Sequence, residues 1–327
     1  MLSCQQAGIP CPKTIFLNTP PPIPFAEVLK PRYWGLWFLF GLLRLVTLLP
    51  FGWQSAIGRG LGRLLYRVMG KRRRIADTNL KLCFPHLDDV ERQVLLRRNF
   101  DHLGMAVIDT AMSWWGSRRQ IHRLGKITGM EHLQAALAEG KGVILLTGHM
   151  TSLDLGGQIL AEVLWDTATP VHAMYKRSRN ILIETLMLRG RLRFSNNVFK
   201  RQDIRSMLRG LAGNHPVWYA PDQDFGLKQG VFADFLGVPT ATLTATAKFA
   251  AKSGARVVPF FPIRLPGNQG FEVQIQPALE DFPIGEDVAD ARRYNAILEA
   301  VVARHPEQYM WLHRRFKTRP EGLPYLY

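Results

Sequence analysis

The stretch GVILLTGHMTSLDLGG (residues 142–157) decides the fold. Its first half is a short apolar run that ends in a turn at His149, which is typical of a buried strand in a parallel sheet. Residues 153–164 then show helical spacing of their apolar side chains. A buried strand followed directly by a helix predicts an α/β fold, with His149 in the connecting loop.

The same alternation of strands and helices continues on both sides of this stretch. Apolar or alternating runs predict further strands at residues 170–175, 216–220, 256–263 and 271–275, the last as an edge strand. Helical spacing and end signals predict helices at residues 88–115, 131–139, 203–212, 243–253 and 288–304. The sequence therefore predicts a largely parallel central sheet flanked by helices.

His149 and Asp154 are the strongest candidates for catalysis. Ligands of open α/β sheets bind beyond the carboxyl ends of the strands, where His149 is predicted to lie. On one continuous helix the two side chains would point about 140° apart, so they meet only if Asp154 begins the helix after the loop. The carboxylate could then orient the imidazole as a general base. A structural alternative is a capping box between Thr151 and Asp154.

Residues 33–51 form the most apolar segment and have Arg44 as their one charged residue. The segment is almost as long as the roughly 20 residues that a spanning helix needs. A central arginine costs roughly 2.5 to 3.5 kcal/mol on insertion scales, and the surrounding apolar residues return roughly 3 to 6. We expect a transmembrane or membrane-anchoring helix here, with a buried or interfacial helix as the alternative. Basic residues are more frequent after the segment than before it, which predicts a single-pass protein with a cytoplasmic catalytic domain.

Three further regions complete the predicted organisation. Residues 1–32 include TPPPIP and are expected to be a flexible leader. Residues 52–125 form a basic amphipathic and helical region, in which a cation recurs at every fourth position from residue 59 to residue 71. Such a helix suits either anionic lipid headgroups or a solvated surface. Residues 126–327 are expected to be the catalytic core.

The composition favours some classes of binding partner over others. The 42 Lys and Arg residues exceed the 26 Asp and Glu residues, and the net charge of +16 favours a phosphate-bearing partner such as nucleic acid, anionic lipid or a phosphorylated substrate. Nucleic-acid binding is disfavoured because the basic residues form no recognition-helix or RNP-like pattern. The three cysteines are widely spaced and form no CxxC pair, so we expect neither a disulfide scaffold nor a metal site.

Four motifs in order carry a resemblance to a known family. They are TGHMTSLDLGG (residues 147–157), YKRSRNILIETLMLRGRLRFS (175–195), VWYAPDQDFG (217–226) and QYMWLHRRFKTRPEG (308–322). Together they resemble the late acyltransferases of lipid A biosynthesis, the lauroyl/myristoyl transferase family, and the likeness extends over residues 33–322.

The resemblance implies an inner-membrane enzyme, anchored by one N-terminal helix, with a glycerolipid-acyltransferase-like domain. The expected donor is acyl carrier protein, the acceptor is a hydroxyl of a lipid A precursor, and anionic lipids of the inner membrane are further partners. No cofactor, metal or covalent acyl-enzyme is expected. The catalytic pair maps to His149 and Asp154, although many members carry Glu at the second position.

Basic residues outside this pair are candidates for substrate binding. Arg189 and Arg191 suit phosphate or sugar contacts, because guanidinium groups bind phosphate in a bidentate manner, and the resemblance favours Arg189. Arg314 and Arg315 could bind substrate phosphates or the acidic carrier protein. For all four arginines a structural or solvated role remains open.

Asp222 and Asp224 follow a predicted strand, so we expect them on the same side of the sheet as His149. They are predicted to bind sugar hydroxyls or to fix their loop, and a metal is disfavoured because no further ligand cluster accompanies them. The rival function is a glycerophosphate-type phospholipid acyltransferase with the same base chemistry. The motifs YAPDQDFG and HRRFKTRPEG favour the lipid A reading, and the presence of both His149 and Asp154 disfavours an inactive scaffold.

Overall fold

The computed structural model describes residues 22–165, 167–195 and 197–327. Within these ranges the α-helices are α1 (Phe25–Val28), α2 (Trp34–Val46), α3 (Phe51–Val68), α4 (Gly70–Cys83), α5 (Asp89–Trp115), α6 (Arg118–Leu124), α7 (Met130–Ala138), α8 (Leu153–Leu164), α9 (Ile181–Arg191), α10 (Ile204–Ala212), α11 (Ala245–Ser253) and α12 (Asp287–Arg304). The strands are β1 (Gly125–Thr128), β2 (Val143–Leu146), β3 (His172–Tyr175), β4 (Asn197–Lys200), β5 (Pro216–Tyr219), β6 (Gly230–Phe235), β7 (Val238–Leu243), β8 (Arg256–Arg264) and β9 (Phe271–Ile275).

One mixed sheet organises the molecule, with the strand order β1-β9-β8-β2-β5-β3-β4. The five strands from β8 to β4 run parallel, whereas β9 is antiparallel to β8 and parallel to β1. Every residue of β2 is buried, as expected for a central strand with both faces covered. The predicted α/β fold with a mostly parallel central sheet and flanking helices is confirmed.

The strands predicted at residues 170–175, 216–220 and 256–263 correspond to β3, β5 and β8. The prediction that β9 is an edge strand is wrong, because β1 pairs with its outer side from Gly125 to Thr128. β1 was missed because it is only four residues long and has no run of apolar residues. The β6-β7 hairpin, which forms a separate two-stranded sheet against α12, was also missed.

The parallel arrangement brings several loops to one edge of the sheet. The loops after β2, β3, β4 and β5 all leave from the carboxyl ends of neighbouring strands, which is where open α/β sheets bind ligands. The loop after β2 also lies tightly against α12, since a Cβ at Gly148 would come within 2.5 Å of Leu298. Glycine at this position lets His149 follow directly from the buried strand.

The apolar segment at residues 33–51 is not one spanning helix. α2 ends at Val46 after 13 residues, and α3 starts at Phe51. Pro50, which has no N–H and disfavours helix before it, separates the two. Arg44 donates to the carbonyl of Trp115 at 2.9 Å, so its charge is held by the protein. No helix in the described ranges is long and apolar enough to cross a membrane, and the predicted localisation as a single-pass membrane protein is wrong in this respect.

α3 packs against α5 through glycines. A Cβ at Gly104 of α5 would overlap the backbone of Gly58 and Gly62 on α3, so the two helices meet at close range. This contact buries one face of α3 and leaves Arg63 and Arg67 exposed, whereas Arg59 is half-buried. Of the predicted leader, residues 1–21 lie outside the described residues, whereas α1 buries Val28 completely.

Candidate active site

His149 lies in the loop after β2 and contacts Asp222 from the loop after β5. Nδ1 of the imidazole pairs with Oδ1 of Asp222, and the backbone N–H of His149 donates to Oδ2 of the same carboxylate at 2.8 Å. The hydroxyl of Tyr309 donates to Oδ2 at 2.9 Å. The Asp222 side chain is 2% exposed, so its orientation is fixed by three donors in a buried setting.

The pair determines the chemistry of the imidazole. A carboxylate that accepts at Nδ1 keeps the proton on that nitrogen and leaves Nε2 with a free lone pair. Burial is the largest single effect and lowers the pKa of His149, but the charge and hydrogen bond of Asp222, together with the charge of Asp154, outweigh burial and raise that pKa above its usual value. Burial likewise opposes ionisation of Asp222, yet its contacts with His149 hold the pKa of this carboxyl well below the usual range. His149 is therefore a strengthened base.

The other imidazole nitrogen faces Gln223. The side-chain nitrogen of Gln223 lies 3.2 Å from Nε2 of His149, so the amide donates to the lone pair of the base. The loop is fixed on both sides of Gln223. Asp222 accepts from the His149 backbone and the Tyr309 hydroxyl, and Asp224 accepts from the backbone of Gly226 at 2.8 Å and from the backbone and hydroxyl of Thr318 at 2.8 and 2.9 Å. Rotation of the Gln223 side chain alone can thus uncover the base.

Asp154 occupies the first turn of α8, as predicted, but it does not bond to His149 in this structure. Its Oδ1 accepts from Arg191 of α9 at 2.5 and 3.2 Å. The expected hydrogen bond is made by Asp222 instead, because the neighbouring strand β5 brings that carboxylate directly to Nδ1. Asp154 acts on His149 through space, where its charge adds to the upward shift of the imidazole pKa. Its catalytic role remains a prediction.

A narrow cavity opens beside the Asp154–Arg191 pair. Its walls are mostly small or aromatic residues: Gly157, Ala173, Gly190, Phe194 and Trp218. Gln158, which is 5% exposed, also lines the cavity, and neither polar atom of its amide has a hydrogen-bond partner. The volume of this cavity, about 20 Å³, holds about one water molecule.

The other predicted binding residues have different surroundings. Arg315 is 2% exposed and donates to the carbonyl of Ala241 at 3.1 Å, so it holds the protein interior together and lies away from the surface. Its charge also helps to lower the pKa of Asp222. Arg314 is half-buried and donates to the Tyr325 hydroxyl at 3.0 Å. Arg189 lies on α9 two residues before Arg191, and the two side chains therefore project about 160° apart.

Asp224 fixes its loop, which was one of its two predicted roles. Sequence reasoning missed Gln223 and Tyr309, whose contacts with the site join residues 74 and 87 positions apart. Both residues lie within the motifs that carry the family resemblance, which is the one signal that could have found them. Among the described residues, no group of three or more His, Cys, Asp or Glu side chains could hold a metal ion.

Comparisons with known proteins agree with this architecture. Residues 25–318 match the family model of the bacterial lipid A biosynthesis acyltransferases. The lipid A biosynthesis lauroyltransferase of Escherichia coli (strain K12) is 38% identical over 301 residues, which cover 92% of this chain and 97% of the relative. The palmitoleoyltransferase of the same organism is 35% identical over 302 residues, with the same coverage. A lipid A biosynthesis acyltransferase of Haemophilus influenzae is 36% identical over 304 residues, covering 91% of this chain and 96% of the relative. This chain belongs to the bacterial lipid A biosynthesis acyltransferase family.

Proposed function

We propose that the protein transfers a fatty acyl chain from an acyl carrier protein thioester to a hydroxyl of a lipid A precursor, with His149 as general base. The observation that carries this proposal is the buried carboxylate on Nδ1, which leaves Nε2 as the reactive nitrogen. A covalent acyl-enzyme is not part of the mechanism. The group beside Nε2 is an amide, and Cys83 lies buried with the pKa of its thiol raised far above the usual value by burial.

The reaction begins when the acceptor hydroxyl replaces the Gln223 amide at Nε2. The hydroxyl oxygen attacks the thioester carbonyl while Nε2 takes the proton, the carbon–sulfur bond breaks, and the proton passes from His149 to the departing thiolate. Asp222 holds Nδ1–H and stabilises the imidazolium that forms. General base catalysis contributes about 10²- to 10⁴-fold, so positioning and stabilisation of the oxyanion supply the rest.

Arg191 is our candidate for binding a substrate phosphate. It is about one-fifth exposed beside the base, and Asp154 holds its guanidinium in place with the two hydrogen bonds described above. In this arrangement Asp154 is a positioning residue that also contributes negative charge near His149. Arg189 remains a second candidate through the family resemblance. We expect an acyloxyacyl product.

The N-terminal helices present an apolar surface that suits an anionic lipid interface. Large exposed side chains on α1 to α3 and the connecting segment include Phe25, Trp34, Phe38, Leu45, Leu48, Trp53 and Leu64. The exposed cations Arg63, Arg67 and Lys71 follow on α3 and α4. An amphipathic surface of this kind lies in the plane of the headgroups. We propose that it brings the site to a lipid acceptor.

The test is an assay of the full chain with a lipid A precursor and a panel of acyl carrier protein thioesters, in which wild type is compared with His149→Ala. We expect transfer by the wild type and its loss in the variant, and the preferred donor gives the chain length. Transfer that survives in His149→Ala contradicts the mechanism. Absence of transfer with every donor, together with acylation of a lysophospholipid, points to the glycerophosphate-type reaction instead.

A further inference from the structure

A basic surface with an aromatic centre borders the candidate site. Phe225 and Leu227, which are 46% and 45% exposed, follow the loop that carries Asp222 and Gln223. Exposed cations from four neighbouring segments surround them: Lys176, Arg177, Lys200, Arg201, Lys228 and Lys317. We call these eight residues the Phe225 patch.

The patch is continuous with the base. Lys200 at the end of β4 pairs in register with Tyr175 at the end of β3, directly before Lys176. The backbone N–H of Arg201 donates to the carbonyl of Tyr175 at 2.8 Å, and its guanidinium lies 5.2 Å from the centre of the Phe225 ring. Arg201 therefore joins the loops after β3, β4 and β5. From Phe225 the chain runs back two residues to Gln223, which contacts His149.

The positive charge of the patch is not neutralised within the protein. In the part of the chain that the structure describes, no ion pair joins any of its six cations to a carboxylate. The acidic residue next to Lys200 and Arg201 is Asp203, which is engaged at the start of α10 by the backbone and hydroxyl of Ser206 at 3.1 and 2.7 Å. The surface thus presents a net positive field to solvent.

The loop after β3 is held in place by buried contacts. Glu184, which is 8% exposed, accepts from the Tyr175 hydroxyl at 2.9 Å and from the backbone N–H of Ser178 at 2.7 Å. These bonds fix the residue before Lys176 and the residue after Arg177. A fixed array of cations loses less entropy on binding than a mobile one, which favours recognition of a partner with matching charge.

We propose that the Phe225 patch docks an acidic protein that carries the acyl thioester and delivers the thioester to His149 past Gln223. The proposal rests on the proposed transfer from a carrier-borne donor. An exposed aromatic anchor within a charged rim is typical of protein interfaces, and complementary charge accelerates encounter. A lipid surface is less suited to this patch because it contains only two large apolar side chains, whereas α1 to α3 present a much larger apolar surface elsewhere.

The experiment compares two donors that carry the same acyl chain, one on holo acyl carrier protein and one on uncharged N-acetylcysteamine. The variants are Lys200→Glu combined with Arg201→Glu, and Phe225→Ser. The matched control is Lys252→Glu, an exposed cation in the last turn of α11 at the opposite end of the sheet. At low salt we expect kcat/KM with the carrier-borne donor to fall about 10- to 100-fold in the double variant, because charge complementarity raises encounter rates by such factors. Transfer from the small thioester stays at the wild-type level, and salt reduces the difference.

Direct binding separates this proposal from the reaction itself. Holo acyl carrier protein is titrated onto wild type, the double variant and Lys252→Glu without an acyl group, and only the double variant is expected to lose binding. Equal loss of transfer with both donors, or a raised KM for the acceptor alone, overturns the proposal in favour of acceptor phosphate binding. Loss of binding to anionic vesicles with unchanged carrier binding overturns it in favour of a lipid. A wild type that transfers from neither donor contradicts the proposed function, whatever the binding result.

Discussion

Replacement of Asp222 by Asn removes one charge from the site and leaves its shape unchanged. In the wild type, Oδ2 accepts from the backbone of His149 at 2.8 Å and from the Tyr309 hydroxyl at 2.9 Å, while Oδ1 pairs with Nδ1. Two donors therefore retain the amide oxygen of Asn at the Oδ2 position. The amide nitrogen then points at Nδ1 of His149, which must become an acceptor. The proton moves to Nε2, and the base loses the lone pair that it needs.

The expected effect on rate is large. A catalytic imidazole held in the wrong tautomer by the same exchange loses about 10⁴ in kcat in serine proteases, which corresponds to a barrier higher by about 5.5 kcal/mol. The pH profile changes as well. Asp222 raises the pKa of His149 against the effect of burial, so wild-type activity increases as pH rises through a value above the usual imidazole pKa. Without the carboxylate, burial dominates and the remaining activity titrates at lower pH.

The assay measures initial rates of acyl transfer between about pH 5 and 9, with Asp154→Asn as the matched control. Asp154 bonds to Arg191, so this control is expected to weaken substrate binding and to lower the pKa of His149 only slightly. Thermal unfolding and circular dichroism check that both variants fold. The reasoning is refuted if Asp154→Asn abolishes titration of the base while Asp222→Asn keeps the wild-type profile.

Three further exchanges test other parts of the structure. Gln223→Met uncovers Nε2, so we expect donor hydrolysis without acceptor to increase relative to transfer and the apparent pKa of His149 to rise; a proportional fall of both rates contradicts this role. His172 is 5% exposed, and burial lowers its pKa to about 3. The folded state therefore loses stability as pH falls from about 6.5 toward 3, because the unfolded chain binds a proton that buried His172 does not. The loss is at most about 1.4 kcal/mol per pH unit. In urea unfolding, the free energy of unfolding of His172→Phe should depend less steeply on pH than that of the wild type. An equally steep pH dependence excludes His172 as its cause. Arg264→Met leaves Asp109 buried without its cation, which should lower the free energy of unfolding by about 3 to 5 kcal/mol. A second exchange, Asp109→Asn, should restore part of this stability. Equal stability of Arg264→Met and wild type argues against a stabilising ion pair.

The sequence predicts the elements whose signal is local. β2, β5 and β8 are short apolar runs, and α8 has regular helical spacing, so each could be recognised from its own residues. The position of His149 after β2 follows from the same pattern. The partner of His149 could not be predicted in this way, because the contact crosses 73 positions of sequence through the pairing of β2 with β5. Spacing along the chain favours Asp154 as the partner of His149, whereas the pairing of β2 with β5 brings Asp222 into contact with Nδ1 of His149.

The error at residues 33–51 has a related cause. Mean hydropathy sums the apolar residues of a segment and ignores whether the chain turns within it. It also treats Arg44 only as an unfavourable contribution to the free energy of membrane insertion. In the structure Arg44 is bound to the carboxyl end of α5, and Pro50 ends the segment at a turn from which α3 runs back along α5 through Gly58 and Gly62. The apolar residues of the segment are therefore divided between two short helices that meet at a turn, and they do not form one long helix. A cation with a protein partner in the middle of an apolar segment, followed by proline, is therefore a better indication of two short packed helices than of one spanning helix.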